Sequence, residues 1–452
     1  MDPLRPSSIT RWLAGPPTDC PCGREHQLGL REILLGPGAL DRVGDILPRP
    51  EARAGPLLLL ADRDTYEAAG ARAGAVLRSS GQQVRETVLG LKPHADDRAL
   101  AELRPALSCN PSRIVAVGSG TINDLGKALA AEAGIPLLTV GTAASMNGYT
   151  SSIAAITVSG LKMTLQVRPA DILVLDMGVI AAAPARLNRA GFGDLMSKPV
   201  SSADWLLSQS FFPGSACPTA LAAADEAVGK TRARAREIGL ADPDALAALT
   251  EGLVLSGISM SLAGASSPAS GAEHLISHYL DISASGWRRE PRLHGEQVAV
   301  GTMVSLAVYG RLRAAGAPGA GLEIPPEESP EMLAELHSHL SPPALAALLE
   351  AARAKAARVP GRAGRVEILS RSWNETWTRL DGQLRGCDGL ASDLSMAGVP
   401  MTFGQIDVPR KMAARLIRVA RHMRNRYTVL DLAADLGRLD GWSEEIAGEL
   451  AA

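Results

Sequence analysis

Three of the chain's eight histidines fall between Ser267 and Val300, in SPASGAEHLISHYLDISASGWRREPRLHGEQVAV. His274 and His278 are four apart, a spacing that stacks both imidazoles on one helix face, about 6 Å apart at Cβ. His294 lies in the returning segment, ahead of GEQVAVGTMVSLAVYG, which reads as a second helix. Two neighbouring helices could thus aim imidazoles at one point. A catalytic zinc-type centre takes three protein ligands and leaves a position open, so a carboxylate is needed. The candidate is Asp194 in AGFGDLMSKPVSSADWLLS. The structural alternative is that the histidines are core residues and Asp194 is a helix N-cap. Glu273 precedes His274 and lies outside the pair, so HExxH is absent and a zincin-type hydrolase has no support.

The elements that would position these groups differ between the two halves. From about Leu28, short apolar runs alternate with helical ones: REILLG, PLLLLAD, RETVLG, SRIVAVG and IPLLTVG read as strands, with amphipathic helices between them. Repeated βα units predict a mostly parallel sheet that binds ligands at the strands' carboxyl ends. The expected pocket wall is Gly118 to Asp124 together with Thr139 to Ser151. In VGSGTINDLGK the glycines let a ligand approach the backbone, and a helix beginning near Ile122 would aim its free N–H groups at a pyrophosphate. GxGxxG is absent, and a tight turn without a ligand is the alternative. After DILVLDMGVIAAAPARLNRAGFGD the patterns are helical, broken at AAGAPGAGLEIPPEESPE and VPGRAGR. The domain junction is expected near Ala183 to Arg189, with an extension at 1–27, an α/β domain at 28–186 and a helical domain at 187–452.

Composition narrows the function classes. A net charge of -2 and 3% aromatic residues argue against a nucleic-acid or anionic-membrane surface. MDPLRPSSITRWLAG has no apolar h-region, and no later run reads as a membrane span, so a soluble cytoplasmic enzyme is expected. Five cysteines fit free thiols in a reducing compartment. Cys20, Cys22 and His26 in CPCGREH could hold a metal, with a reduced surface loop as the alternative.

Seven ordered blocks carry a family resemblance: CPCGREH, GSGTINDLGK, TAASMNGYTS, AGFGDLMSK, SSPASGAEHLISH, LHGEQVAVGTM and RNRYTVLDLAADLG. With these the chain resembles the glycerol-1-phosphate dehydrogenases, most closely their bacterial branch, among the iron-containing alcohol dehydrogenases, glycerol dehydrogenases and dehydroquinate synthases. The resemblance implies a dehydroquinate synthase-like fold: an α/β Rossmann-like N-terminal domain with a mostly parallel sheet, then an all-α C-terminal domain. It also implies NAD(H) or NADP(H), and one divalent ion (zinc or nickel, iron possible) held by Asp194, His274 and His294. Gly118, Ser119, Gly120, Thr121, Asp124, Thr139, Thr142, Ser145 and Ser151 would line the nucleotide. Asn147, Asp194 and His278 would meet the substrate, with His278 and Asp194 catalytic. The reaction implied is interconversion of dihydroxyacetone phosphate and sn-glycerol 1-phosphate, within phospholipid metabolism, by a homo-oligomer with a dimer favoured.

Two positions depart from the family's pattern. Asn147 stands where the family usually has Asp, and an amide neither carries charge nor accepts a proton from a hydroxyl. Pro199, after Lys198, removes a backbone donor early in a helix. A dehydroquinate synthase-like lyase or cyclase using bound NAD transiently, and a non-catalytic nucleotide- or metal-binding descendant, remain alternatives. Asp62 would favour NAD, whereas Arg63 would greet a 2′-phosphate.

Overall fold

The computed structural model describes residues 4–48, 55–158, 161–319 and 321–452. The chain divides into two compact units, Met1–Leu195 with Glu226–Ser266, and Met196–Asp225 with Ser267–Ala452. The helices that matter to the candidate site are α1 (Gly120–Ala133), α2 (Ala185–Leu195), α3 (Lys198–Ser208), α4 (Pro243–Ala263), α5 (Ala272–Ser283) and α6 (His294–Ala315). Of these, α1, α2 and α4 belong to the first unit.

The first unit is built on strands β1 (Glu32–Gly36), β2 (Leu57–Asp62), β3 (Val84–Leu89), β4 (Arg113–Gly118), β5 (Leu137–Gly141), β6 (Ile153–Val158), β7 (Leu161–Gln166) and β8 (Ile172–Asp176). Six of them form one sheet in the order β1-β8-β5-β4-β2-β3, every pair parallel. The central strands are continuous apolar runs because both faces are covered. Leu57, Leu59, Val115, Val117 and Val140 enter the core on one face. Leu58, Leu60, Ile114, Ala116 and Leu137 enter the core on the other, against Ile122, Leu125 and Leu129 of α1. The chain runs from β2 outward to β3 and then returns to β4 on the other side of β2. That reversal makes the carboxyl ends of β2 and β4 a topological switch point, where α/β sheets offer a crevice.

The antiparallel hairpin β6–β7 was not expected. Ala154 and Ile156 of β6 bury their side chains in the core that also takes α1, so the hairpin covers a sheet face rather than extending the sheet.

Two expectations about α4 change. The segment was expected beyond a single cut near residue 186, but it belongs to the sheet-bearing unit. Among the described residues, α4 alone is long and apolar enough to cross a membrane, at 21 residues and a mean hydropathy of 1.5, where no such run had been expected. Its apolar window is 78% buried, so its apolarity serves a core. Asp242 caps its start by accepting from Ala245 N at 2.9 Å, and Gly264, at φ +62°, ends it.

In the second unit, α5 and α6 pack closely where a Cβ on Gly301 would lie 2.5 Å from the Glu273 carbonyl oxygen. Glycine permits this approach, which sets the first turn of α5 against α6 about two turns from the start of α6. Pro199 occupies the first turn of α3, where a backbone N–H has no intrahelical partner, so the departure there removes no helix bond.

Candidate active site

In the first unit the wall begins where β4 ends. Ser119 separates β4 from α1, which starts at Gly120 rather than near Ile122. A Cβ on Gly118 would sit 2.6 Å from Ile122 Cβ, so glycine is what allows so abrupt a turn. Ser119, Gly120, Thr121 and Ser145 are half-buried at this end of the sheet. Thr142 is buried, and its N–H donates to Gly118 O at 3.3 Å, tying the ends of β4 and β5 together.

Thr139 and Ser151 are both enclosed. Thr139 Oγ1 donates to Asn123 Oδ1 at 3.3 Å, and Ser151 Oγ accepts from Lys127 Nζ at 3.2 Å. Lys127 is the residue that sequence reasoning passed over. Its buried ammonium also donates to Ser151 O at 2.7 Å, Ile153 O at 3.0 Å and Gly148 O, clamping the loop. Burial lowers its pKa to about 8, against the pull of Asp124. The surrounding protein raises the Asp124 carboxyl, opposed by Lys127 and by the Ala155 N–H, which donates to Oδ2 at 3.2 Å. A lysine inside the apolar face of α1 was the available signal. Asp62 is an N-cap, accepting from Thr65 N at 2.8 Å, so part of its acceptor capacity is already used.

The loop from Thr142 to Ser151 is seated between α2 and α4. A Cβ on Gly191 would lie 1.9 Å from Ala144 O, and one on Gly257 would lie 2.1 Å from Thr150 Oγ1. Glycines at these positions let the loop touch both helices. Asn188 Oδ1 accepts from Ala144 N at 2.9 Å, and Thr150 Oγ1 donates to Val254 O at 2.8 Å. The result sets Asn147 N 3.3 Å from Asp194 Oδ2, with the Asn147 amide donating to Ser256 Oγ at 3.1 Å. Asp194 is fully buried and is the penultimate residue of α2, so the N-cap reading fails.

In the second unit the three histidines come together. Ring centroids are 5.1 Å apart for His274 and His294, 5.7 Å for His278 and His294, and 6.2 Å for His274 and His278. A ring nitrogen of His274 lies within 4.8 Å of one of His294. His274 Nδ1 donates to Glu273 Oε1 at 2.8 Å. Ser277 Oγ donates to Gln297 Oε1 at 2.8 Å and therefore accepts from His294 Nδ1 at 3.1 Å. With Nδ1 carrying the hydrogen in both rings, each Nε2 keeps a lone pair for a cation.

Glu273 is in turn supported by Gly271 N, which donates to Oε1 at 2.7 Å. Beside it, Asp204 of α3 accepts from Ala272 N at 2.7 Å, Tyr309 Oη at 2.7 Å and Val429 N at 2.8 Å. Burial and then the Glu273 charge push the Asp204 carboxyl up to about 7. Neither Glu273 nor Asp204 was expected from the sequence to support the site.

The model of the iron-containing alcohol dehydrogenase family matches residues 34–184. The glycerol-1-phosphate dehydrogenase (NAD(P)+) of Methanosarcina barkeri is 32% identical over 328 residues, 68% of this chain and 87% of that protein. Its namesake from Halalkalibacterium halodurans is 32% identical over 297 residues, 65% and 74% of the two chains. That of Bacillus licheniformis is 26% identical over 426 residues, 93% of each. Among solved structures, a probable glycerol dehydrogenase from Sinorhizobium meliloti 1021 superposes with a TM-score of 0.59 at 18% identity, covering 93% of this chain and 99% of that one. An iron containing alcohol dehydrogenase from Thermococcus thioreducens gives 0.60 at 16%, covering 94% and 99%. The structural likeness establishes the fold, a parallel-sheet α/β unit combined with a helical one. With the sequence relationship added, the chain belongs to the glycerol-1-phosphate dehydrogenase family, among the iron-containing alcohol dehydrogenases.

Proposed function

We propose that this chain interconverts dihydroxyacetone phosphate and sn-glycerol 1-phosphate, using NAD(H) or NADP(H) and one divalent ion. Asp194, His274 and His294 are the proposed ligands, a carboxylate and two imidazoles suited to zinc or nickel, with iron as a further occupant. When bound, the ion polarises the substrate carbonyl as a Lewis acid and the nicotinamide carries the hydride. The observation that carries the reading is the pair of Nδ1 hydrogen bonds, to Glu273 and to Ser277, which leaves Nε2 of both histidines as the donor atom.

The chain's own residues have the remaining roles. Ser119 to Thr121, at the start of α1, offer unpaired backbone N–H groups to the cofactor's pyrophosphate. Lys127 and Asn123 act one layer behind, holding the loop that ends at Ser151 and the strand that bears Thr139. His278, half-buried one turn beyond His274, meets the substrate oxygen and moves the proton that the alkoxide takes up. Asn147, tied to Asp194 through its backbone N–H, positions the substrate with an amide that adds no charge.

The lyase or cyclase alternative is weakened because the relatives of this chain are named as dehydrogenases. The test mixes metal-reconstituted protein with NADH or NADPH and dihydroxyacetone phosphate and follows the nicotinamide absorbance. Glycerol, glycerol 3-phosphate and a heptulosonate phosphate serve as controls. Turnover of the triose phosphate that disappears with a chelator, and in His274→Ala and Asp194→Ala, supports the proposal. Phosphate release from the heptulosonate without net nicotinamide oxidation would overturn it.

A further inference from the structure

We propose that Cys20, Cys22 and His26 form a second metal site, a thiolate site for zinc that pins the amino-terminal segment to the end of α4. The dehydrogenase reading does not use these residues. They precede the sheet, and they are separate from Asp194, His274 and His294.

The donor atoms of Cys20, Cys22 and His26 all lie within 4.8 Å of one another. Cys22 Sγ is 3.3 Å from His26 Nε2. Zinc with sulfur at about 2.3 Å and nitrogen at about 2.0 Å in a tetrahedron separates two such ligands by about 3.5 Å. The observed edge is therefore close to the size zinc requires.

The histidine is also set in the right tautomer. His26 Nδ1 lies 2.7 Å from Leu262 O, and a carbonyl oxygen can only accept, so Nδ1 carries the hydrogen. The Nε2 lone pair then faces the sulfur. This is the same device that orients His274 and His294, a ring N–H spent on an acceptor so that the other nitrogen can bind a cation.

The local backbone brings the thiols together. Gly23 N donates to Cys20 O at 2.9 Å, closing a tight turn, and Gly23 has φ +69°, a conformation glycine adopts without strain. Cys20 and His26 are buried, Cys22 is half-buried, and none of the five cysteines is in a disulfide. Leu262 and Ala263 end α4, where carbonyls have no intrahelical donor. His26 serves the first and Arg24, at 3.4 Å, the second.

Two thiolates with an imidazole favour zinc over harder cations. Binding replaces two S–H bonds by two S–Zn bonds and releases two protons, with no change of oxidation state.

The whole protein is loaded with cobalt in place of zinc and its near-ultraviolet absorbance recorded, with metal content measured on the zinc form. The proposed catalytic ligands contain no sulfur, so a thiolate-to-cobalt charge-transfer band reports this site alone. The expected result is such a band in the wild-type protein and in His274→Ala, its loss in Cys20→Ser/Cys22→Ser, and one equivalent less zinc in that double variant. Zinc-edge X-ray absorption on the unaltered protein should find at least two sulfur neighbours, which keeps the proposal testable if the double variant does not fold. A wild-type cobalt protein without the band, or zinc with no sulfur neighbour, overturns it.

Discussion

The backbone N–H of Asn147 donates to Asp194 Oδ2 at 3.3 Å, while its side-chain amide donates to Ser256 Oγ at 3.1 Å. The backbone thus ties Asn147 to the proposed metal-binding carboxylate, and its side-chain amide has a hydroxyl partner that can reverse its role. In Asn147→Asp, Ser256 turns to donate, and the new carboxylate can take or give a proton at the substrate. A positioned acid–base group is commonly worth about 10²–10⁴-fold, so kcat/KM toward dihydroxyacetone phosphate should rise about tenfold or more. Metal content should not change. An unaltered kcat/KM in a fully metallated variant would refute this account of the departure.

Glu273 and Ser277 should tune the metal without touching it. Glu273→Gln weakens the acceptor for His274 Nδ1, and Ser277→Ala removes the acceptor for His294 Nδ1. Loss of such a partner typically costs about 10- to 100-fold in metal affinity. Competition against a chelator should show that loss in each variant. Wild-type affinity in both would mean that Nε2 is not the ligand atom.

The seat of the Asn147 loop depends on Gly191, where a Cβ would meet Ala144 O at 1.9 Å. Gly191→Ala forces helix and loop apart, and overpacking of this kind costs about 1–3 kcal/mol. Gly382, in the helix Trp373–Arg385, is exposed, and a Cβ placed on it would meet nothing within 4 Å. Gly382→Ala should therefore add about 0.5–1 kcal/mol through helix propensity. Urea unfolding of both variants checks the contrast, and equal effects would show that the close approach is unimportant.

Acid should weaken the second unit through His337. Tyr279 Oη is 2.7 Å from its Nδ1, and its Nε2 is 3.0 Å from His422 Nδ1. Burial, then His339 and Arg415, lowers His337 to about 3. Folded His337 stays neutral while the unfolded chain takes a proton near pH 6.5, so its contribution is present above about 6.5 and is lost as pH falls toward about 3. His337→Gln should flatten the stability profile in that window by about one proton. A slope identical to wild type would show that His337 is protonated in the folded protein.

The sequence by itself determined the local chemistry. Apolar runs such as LLLL and IVAV, short and bounded by turn residues, read as strands covered on both faces, and His274 and His278 share a helix face by spacing alone. His294 at the head of a second helix was legible for the same reason, because periodicity is a local property. The tertiary structure decided what depends on contacts between distant residues. Lys127 reaching Ser151 and Ile153, Gly191 meeting Ala144, Glu273 and Ser277 fixing two tautomers, and α4 joining the sheet-bearing unit all required the chain to fold back on itself. Hydrogen bonds and close packing act over about 3–4 Å in space, whatever the separation along the chain, so no pattern of neighbouring residues encodes them directly.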